Sequence, residues 1–418
     1  MIRRVGIQGY KSLKDVAIEL QPLTVIIGPN AAGKSNLFDA LGLLSRCVTS
    51  RTLGEAFKEH RGAPVETFYR EKGLDWLLTQ PTAQFTIEVD VELSPEVVET
   101  TNQRIREMQS KQPQVVSETR LRYKLTVEMT MDSGHLGVKE ERLVALNPEG
   151  TEKESVELFI QRVGDRLHLR RESRERVYQQ YLAGQDYTVA SASLHFPYHP
   201  HVAAFKEELS CWRFYYLDPE TMREENPLKE AAVLGPFGAD LAAFYNTLRA
   251  RSPRQFETLN RALSLLLPEV QELSVKKTQD GLLQLLVLER KVSYSARVIS
   301  EGTLRVLGLL AVTYPLAPTT VIGYEEPENG VHPRRLRLIA ELLQNTAASG
   351  KQVLVNTHSP KLPEYFEPTS LVICRKVEGA TTLTPLKNLS PEFRAGQIEQ
   401  ALEDTPLTER VLRGDFGG

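Results

Sequence analysis

The segment LTVIIGPNAAGKSNLFDAL, residues 23–41, decides the fold of this chain. Its first five residues are apolar or β-branched, its centre carries two glycines, and its end has the apolar spacing of a helix. This pattern predicts a buried strand, a phosphate-binding loop and a helix. Because consecutive backbone N–H groups at the start of such a helix bind polyphosphate oxygens, the segment predicts a site for a nucleoside triphosphate.

Each residue type in this loop has its own expected role. Gly28 and Gly33 let the backbone approach the phosphates closely. Lys34 is expected to reach the β and γ oxygens and to assist catalysis, and Ser35 to bind Mg²⁺. The predicted contacts to the nucleotide are Gly28, Pro29, Asn30, Ala31, Ala32, Gly33, Lys34, Ser35 and Asn36.

Composition and charge limit the other classes of function. The formal net charge of −3 over 418 residues gives no general attraction to nucleic acid, so DNA contacts would need a local patch. The three cysteines are far apart and odd in number, which favours a reducing compartment over a disulfide or zinc framework. We find no signal-like start and no apolar run long enough for a bilayer. The sequence thus predicts a cytoplasmic protein without a membrane partner.

A pair of carboxylates follows a second apolar strand, in the segment VIGYEEPE, residues 321–328. The carboxyl ends of strands in a doubly wound sheet are where ligands bind. Glu325 is therefore expected to hold Mg²⁺, directly or through water, and Glu326 to polarise the attacking water. The alternative interpretation is a solvated acidic loop.

Two further motifs lie near this strand in the sequence. Residues 300–303, Ser-Glu-Gly-Thr, begin an apolar helix, and such a start can bind an anion, here a γ-phosphate. Ser300, Gly302 and Thr303 are the expected contacts, although a simple N-cap would give the same pattern. His358 follows the apolar strand 352–356, so it is expected at the same sheet edge as Glu326.

Together and in this order, these motifs resemble the ATPase head of ABC-type proteins. The closer resemblance is to the RecF-like and OLD-type AAA ATPases, relatives of the SMC proteins, in which a loop of the GPN form follows an opening like GYKSL, here residues 9–13. The resemblance covers residues 1–93 and about 212–363. It implies that ATP and Mg²⁺ are the cofactors.

The resemblance also assigns roles to residues. It makes residues 300–303 the signature motif, Glu325 and Glu326 the Walker B pair, and Asn329 part of the D-loop. His358 becomes the catalytic switch histidine, and Lys11 of the GYKSL opening joins the nucleotide contacts. Many ABC heads carry Asp at the position of Glu325. The glutamate here has one more methylene group, which lengthens its reach to Mg²⁺. The Mg²⁺-sensing glutamine is not fixed by the pattern: Gln80 and Gln84 are the candidates, and we favour Gln84.

The implied fold is α/β, a P-loop ABC-type ATPase head with a mixed sheet that is interrupted by a β-rich insertion. The predicted parts are the N-terminal part of the head at 1–93, the insertion with short helices at 94–205, the C-terminal part of the head at 206–368, and a strand pair with a short helix at 369–418. Within them the sequence predicts a hairpin turn at 164–165, a helix at 171–182 and a helix near 396–402.

In relatives a signature serine completes the ATP site of a second head. The resemblance therefore implies a homodimer on ATP, with Ser300 and Gly302 acting in trans. We expect an ATPase acting on DNA in repair or in anti-phage defence. Because OLD nucleases carry a Toprim nuclease domain that is not visible here, any cutting activity is expected on a separate polypeptide. The alternative is an ATP-dependent regulatory subunit that holds or releases a nuclease or toxin without binding DNA.

Overall fold

The structure, a computed structural model, describes residues 1–108, 114–163, 166–170, 177–180, 186–192 and 197–389. Within these residues the chain forms three sheets and ten α-helices. None of the helices in this described part is long and apolar enough to cross a bilayer. The helices are α1 Lys34–Thr49, α2 Leu53–Lys58, α3 Leu74–Leu78, α4 Pro95–Met108, α5 Pro200–Ser210, α6 Pro219–Met222, α7 Leu241–Arg251, α8 Pro253–Leu266, α9 Glu301–Thr313 and α10 Leu336–Ala348.

The central sheet is mixed, as the sequence predicts for an α/β head. Its strands are β3 Leu23–Ile27, β10 Trp212–Tyr215, β15 Val321–Glu325, β16 Gln352–Thr357, β17 Leu371–Val377 and β18 Ala380–Pro385. The spatial order is β10-β15-β16-β3-β17-β18, in which the first five strands run parallel and the last is antiparallel. The strand before the phosphate loop thus lies between two strands from the last fifth of the chain.

Both faces of the central sheet are covered, which explains why its strands are apolar throughout. Side chains alternate between faces along a strand. Accordingly Ile26 belongs to one hydrophobic core, shared with α1, α5 and the large antiparallel sheet. Val25 and Ile27 belong to a second core, shared with α7 to α10.

The large sheet is antiparallel and begins at the N-terminus. Its strands are β1 Ile2–Tyr10, β2 Leu13–Glu19, β4 Thr82–Glu92, β5 Arg120–Thr130, β6 His135–Ala145, β7 Ile160–Val163, β8 Arg166–Leu169 and β9 Val177–Gln180. In the described residues their order is β2-β1-β4-β5-β6-β7-β8-β9. The β-rich segment after residue 94 therefore extends the sheet that the head has already started, because β5 pairs with β4 along its whole length. The division into these four parts stays a prediction.

A third, smaller sheet packs together with α7 and α8 in the second core. It consists of β11 Asn226–Pro227, β12 Val270–Lys277, β13 Leu282–Glu289 and β14 Val292–Ser295, with β13 pairing to the other three. The sequence of residues 270–287, with Asp280-Gly281 at its centre, predicts a strand, a glycine turn and a second strand, and the antiparallel pairing of β12 and β13 confirms this prediction.

One predicted element is wrong. The sequence predicts a helix at 171–182, but residues 177–180 form strand β9, which pairs antiparallel with β8. Pairing with an existing sheet edge here outweighs the helical preference of a segment rich in Arg and Glu. The turn predicted at 164–165 lies outside the described residues, although β7 and β8 on either side of it pair antiparallel. The predicted helix near 396–402 also lies outside them.

Candidate functional site

The loop between β3 and α1, residues 28–33, is called the P-loop below. Its last residue Gly33 has a φ of 102°, a conformation that favours glycine. The ammonium of Lys34 donates hydrogen bonds to the carbonyl oxygens of Gly28 at 2.7 Å and Pro29 at 2.9 Å. The loop therefore curls around the lysine ammonium at the N-terminus of α1, which is the arrangement that the phosphate-site prediction needs.

The predicted metal ligands Ser35 and Glu325 are brought together from opposite ends of the chain. Ser35 Oγ donates a 2.9 Å hydrogen bond to Glu325 Oε2. Glu325 ends strand β15 and is buried, and this burial raises the pKa of its carboxyl group. A hydroxyl and a carboxylate are the hard oxygen donors that Mg²⁺ prefers, so these two residues fit the ion.

A buried amide lies next to Glu325. Asn356 pairs in register with Glu325 and is 1% exposed. Within the described residues neither its amide nitrogen nor its amide oxygen has a hydrogen-bond partner. Such an orphaned polar group at a sheet edge fits a site that takes a further hydrated or charged group. The sequence analysis did not single out Asn356, because an asparagine at the end of a strand carries no distinctive pattern.

Glu326 has an unusual backbone conformation. Its φ is 51°, a left-handed geometry that costs about 1–3 kcal/mol in a non-glycine residue. Its carboxylate lies 3.1 Å from His358 Nδ1 and accepts a hydrogen bond from Asn329 Nδ2. The structure therefore brings Glu326 and His358 together at one sheet edge, as the sequence predicts, and adds a contact of Glu326 with Asn329 that was not predicted. The two polar partners fix the orientation of the candidate general base.

Burial disfavours charge around the loop. It lowers the pKa of Lys34, while Cys374, Glu326, Glu328 and Glu325 act in the opposite direction. Burial also raises the pKa of Glu328, whose carboxylate accepts hydrogen bonds from Thr357 Oγ1 and from the backbone N–H of Ser359. The Lys34 ammonium thus lies near several carboxylates of low exposure. Because burial strengthens interactions between charges, a bound triphosphate and its cation would interact strongly with these groups.

Ser300 caps α9. Its Oγ accepts a 3.1 Å hydrogen bond from the N–H of Thr303 and lies 2.9 Å from Thr303 Oγ1. The cap interpretation of this motif is therefore realised, and the phosphate contact stays a prediction. Ser300 is exposed, and no hydrogen bond among the described residues joins it to the P-loop.

Gly302 packs against the loop after Walker B. A Cβ at Gly302 would collide with the carbonyl oxygen of Gly330, and a Cβ at Gly330 would lie 3.2 Å from Gly302 Cα. Helix α9, called the signature helix below because it begins at the predicted signature motif, is thus in direct backbone contact with the loop that carries Asn329. The only residue type that allows this approach at position 302 is glycine.

For two predicted residues, Lys11 and Gln84, the described hydrogen bonds and ion pairs do not involve the P-loop. Lys11 has a φ of 46°, and its ammonium forms a 2.6 Å ion pair with Asp39 of α1, so it reaches the helix that follows the P-loop. Gln84 is exposed on β4, opposite Glu128 of β5. Among the described contacts of Gln84 none involves the P-loop or Glu325, and its metal-sensing role stays a prediction.

The sequence analysis missed the segment that follows β10. Tyr215 of β10 pairs in register with Tyr324, so the residues after it lie at the same sheet edge as Glu325. Arg305 of the signature helix donates a 2.9 Å hydrogen bond to the carbonyl oxygen of Leu217. A cavity of about 330 Å³ between α1 and β10 also reaches Glu325. Only the sheet order, which the local pattern does not contain, could have identified this segment.

Comparisons with known proteins agree with this geometry. The family model described as "AAA domain, putative AbiEii toxin, Type IV TA system" matches residues 145–362, more than half of the chain, and an "AAA ATPase domain" model matches residues 1–155. A Nod factor export ATP-binding protein I of Ralstonia nicotianae is 33% identical over 85 residues, which cover 20% of this chain and 26% of that protein. An OLD nuclease of Thermus scotoductus is 39% identical over 44 residues, which cover 10% of this chain and 8% of that protein.

The matched segments thus span about a quarter or less of these curated relatives. Among solved structures, an SMC head bound to the C-winged helix domain of ScpA has a TM-score of 0.53 at 10% identity, covering 92% of this chain and 96% of that one. An SMC head with an extended coiled coil, bound to the C-terminal domain of ScpA derived from Pyrococcus furiosus, has a TM-score of 0.51 at 11% identity, covering 96% and 98%. These two likenesses show the fold.

The matches confirm the α/β ATPase fold that the motifs imply. The residues predicted as Walker A, Walker B and switch histidine lie at one edge of the central sheet, the chain has the fold of an SMC head, and it belongs to the AAA domain family whose model matches residues 145–362.

Proposed function

We propose that this protein binds and hydrolyses ATP with Mg²⁺ and forms a homodimer when ATP is bound. The observation that carries the proposal is the assembly of Lys34, Ser35, Glu325, Glu326 and His358 at one sheet edge. Lys34 binds the β and γ oxygens, and Ser35 and Glu325 hold Mg²⁺. The ion, when bound, supplies charge neutralisation for the transferred phosphoryl group.

Glu326 is the general base of the proposed reaction. A base has to lie within hydrogen-bond reach of the water whose proton it accepts, and its orientation has to be fixed. His358 contacts one oxygen of the Glu326 carboxylate and Asn329 donates a hydrogen bond to the other, while the Glu326 backbone has a left-handed conformation. The three residues therefore form a unit that orients the water-activating group.

The signature helix supports the dimer part of the proposal. Ser300 is exposed and is not joined to its own P-loop by a described hydrogen bond, which fits a group that acts on a second copy. Gly302 contacts the loop that holds Asn329, and Asn329 donates a hydrogen bond to Glu326. A nucleotide bound across the dimer would therefore influence the position of Glu326 through this loop. Ser300, Gly302 and Thr303 then act in trans on the γ-phosphate.

We propose a cellular role in DNA repair or anti-phage defence, together with a separate effector and with DNA as a candidate ligand. The short match to an OLD nuclease and the match to a family described as a putative toxin of a type IV TA system support this role.

The match to this toxin family also supports a second candidate function. In this alternative the protein is a regulatory subunit that uses ATP to hold or release a nuclease or toxin and does not bind DNA.

Multi-angle light scattering with and without a non-hydrolysable ATP analogue and Mg²⁺ tests the core proposal. We expect a monomer without nucleotide and a dimer with it, and phosphate release from ATP that stops when EDTA removes Mg²⁺. A monomer at saturating analogue contradicts the dimer, and absence of phosphate release contradicts the ATPase.

The two cellular roles differ in their response to DNA. DNA-stimulated ATPase activity, with binding that weakens steeply as salt rises, supports the first role. ATP-dependent co-purification of a second protein in nuclease-treated extract, with no stimulation by DNA, supports the second.

A further inference from the structure

The carbonyl group of Ala32 lies in a buried hydrogen-bond network behind the P-loop. Thr381 Oγ1, on β18, donates a 2.7 Å hydrogen bond to the Ala32 oxygen, and Cys374 Sγ, on β17, approaches the same oxygen at 3.6 Å. Ala32 and Thr381 are each 1% exposed. A carbonyl buried this deeply depends on its donors, because water cannot replace them.

The hydroxyl groups around this carbonyl form a directed chain. Because the Thr381 hydroxyl proton points to the Ala32 oxygen, the 2.6 Å bond between Ser12 and Thr381 must have Ser12 as its donor. Ser12 Oγ in turn accepts a 2.7 Å hydrogen bond from Asn36 Nδ2. The order of donation is therefore Asn36 to Ser12 to Thr381 to Ala32. We call this chain the hydroxyl relay.

The relay is tied to the backbone at both ends. Asn36 lies in the first turn of α1, and the N–H of Thr381 donates a 2.7 Å hydrogen bond to the carbonyl oxygen of Ser12. The Ser12 hydroxyl belongs to the turn between β1 and β2, and the Thr381 hydroxyl belongs to the hairpin of β17 and β18. The two residues are 369 positions apart in the sequence. Each group has one defined orientation, because its donor and its acceptor are both fixed.

The relay fixes the peptide that joins Ala32 to Gly33. In a planar trans peptide the C=O and the N–H point in opposite directions. A carbonyl held by Thr381 on the buried side therefore turns the N–H of Gly33 toward the side where the phosphates bind. Gly33 also packs on the two hydroxyl groups: a Cβ there would collide with Thr381 Oγ1 and lie 2.6 Å from Ser12 Oγ.

We propose that Thr381 and Ser12 are positioning residues for triphosphate binding, whose hydroxyl groups hold the Ala32–Gly33 peptide with its N–H aimed at the phosphates. The proposal rests on the proposed ATP binding by the P-loop. Neither side chain is a nucleotide ligand in this arrangement, since both act through the backbone. The role of Thr381 is the new assignment, because it lies far outside every nucleotide-binding motif of the sequence.

The test is calorimetric binding of Mg–ATP to four proteins: wild type, Thr381→Val, Thr381→Ser and Thr382→Val. Valine keeps the shape of threonine but removes the hydroxyl, and serine keeps the hydroxyl. Thr382 is the exposed neighbour on the same strand and serves as the matched control. We expect Thr381→Val to weaken binding about tenfold, as for the loss of one buried hydrogen bond, and the other two variants to bind like wild type.

A kinetic measurement separates positioning from general damage. The N–H of Gly33 contacts bound ATP before and during the reaction, so Thr381→Val should raise KM by the same factor and change kcat by less than about twofold. Ser12→Ala breaks the relay one step earlier and should weaken binding in the same direction. Because the two residues act in one chain, the double variant should be no weaker than Thr381→Val alone.

Binding by Thr381→Val that equals wild type overturns the relay, and so does a Thr381→Ser variant as weak as Thr381→Val. Should Thr381→Val fail to fold in a thermal melt, Ser12→Ala decides the question with the same binding measurement. A wild-type protein that binds no Mg–ATP overturns the proposed function and the relay with it. Tight wild-type binding that Thr381→Val leaves unchanged overturns the relay alone.

Discussion

Gly302 and Gly330 are in backbone contact, with the start of the signature helix lying directly on the loop after Walker B. We expect Gly302→Ala to lower the free energy of unfolding by about 1–3 kcal/mol, because the new methyl group would overlap the Gly330 carbonyl and force one of the two segments to move. Urea denaturation measures the change.

Gly54→Ala is the control for this substitution. Gly54 lies in α2, where the nearest atom to an added Cβ is Thr52 Oγ1 at 3.7 Å. Alanine should therefore leave stability unchanged or raise it by up to about 1 kcal/mol. Equal stabilities for Gly302→Ala and wild type would contradict the close packing.

Glu326→Gln should separate ATP hydrolysis from ATP binding. Glutamine keeps the size of the side chain and its contacts with Asn329, but it cannot accept a proton from water. We expect kcat to fall about 10²–10⁴-fold, while ATP stays bound and the dimer persists. Phosphate release and light scattering with saturating ATP measure the two effects, and a monomeric variant would count against the sandwich dimer.

Lys34→Ala should remove ATP binding itself. The variant loses the ammonium group that holds the P-loop carbonyls and that is proposed to contact the β and γ oxygens. Loss of charged hydrogen bonds of this kind predicts binding weaker by about 100-fold or more, and with it loss of ATP-dependent dimerisation. Calorimetry is the measurement. Lys58→Ala, on the exposed surface of α2, is the control and should bind as wild type does.

The buried carboxyl of Glu325 predicts a pH effect on stability. Burial raises its pKa above the usual 4.5, so the folded state disfavours the charged form. Stability linked to Glu325 is therefore present at low pH and is lost as pH rises through the raised pKa. Since glutamine removes this penalty and can still accept the Ser35 hydrogen bond, Glu325→Gln should unfold at higher urea than wild type near neutral pH.

The gain from Glu325→Gln should shrink as pH falls. Once both proteins carry a neutral group at position 325, below the usual pKa of 4.5, the difference should vanish. Urea titrations in the absence of Mg²⁺ and nucleotide, from about pH 5 to pH 8, measure the trend. Glu257→Gln, on the exposed side of α8, is the control. A gain that grows toward low pH would contradict the assigned cause.

The sequence predicted the parts of the site that depend on neighbouring residues. The strand, loop and helix around Lys34 follow from local apolar periodicity and glycine placement. The positions of Glu326 and His358 follow from strands that end just before them. All three predicted strands lie side by side in the central sheet, so their ends meet at one edge.

The parts that the sequence did not predict depend on contacts between distant segments. The strand pair after residue 369 was expected as a separate C-terminal piece, yet β17 pairs directly with β3 and the hydroxyl of Thr381 reaches the P-loop. The apolar periodicity of a single segment does not predict the pairing of β17 with β3, because these two strands are more than 300 residues apart. The wrong helix at 171–182 has a different origin: its pairing partner β8 lies close by in the sequence, and pairing with that sheet edge outweighs the helical preference of the segment.

The place of β3 between β16 and β17 has a consequence for synthesis on the ribosome. The residues of β3 and the P-loop leave the exit tunnel long before the strands that flank β3, Gln352–Thr357 and Leu371–Val377, have been translated. A nascent chain therefore cannot complete the strand pairs on both sides of β3 until these two later strands have emerged. A product terminated before residue 352 would keep the P-loop and Lys34 and would lack both strands that hold β3 in the sheet.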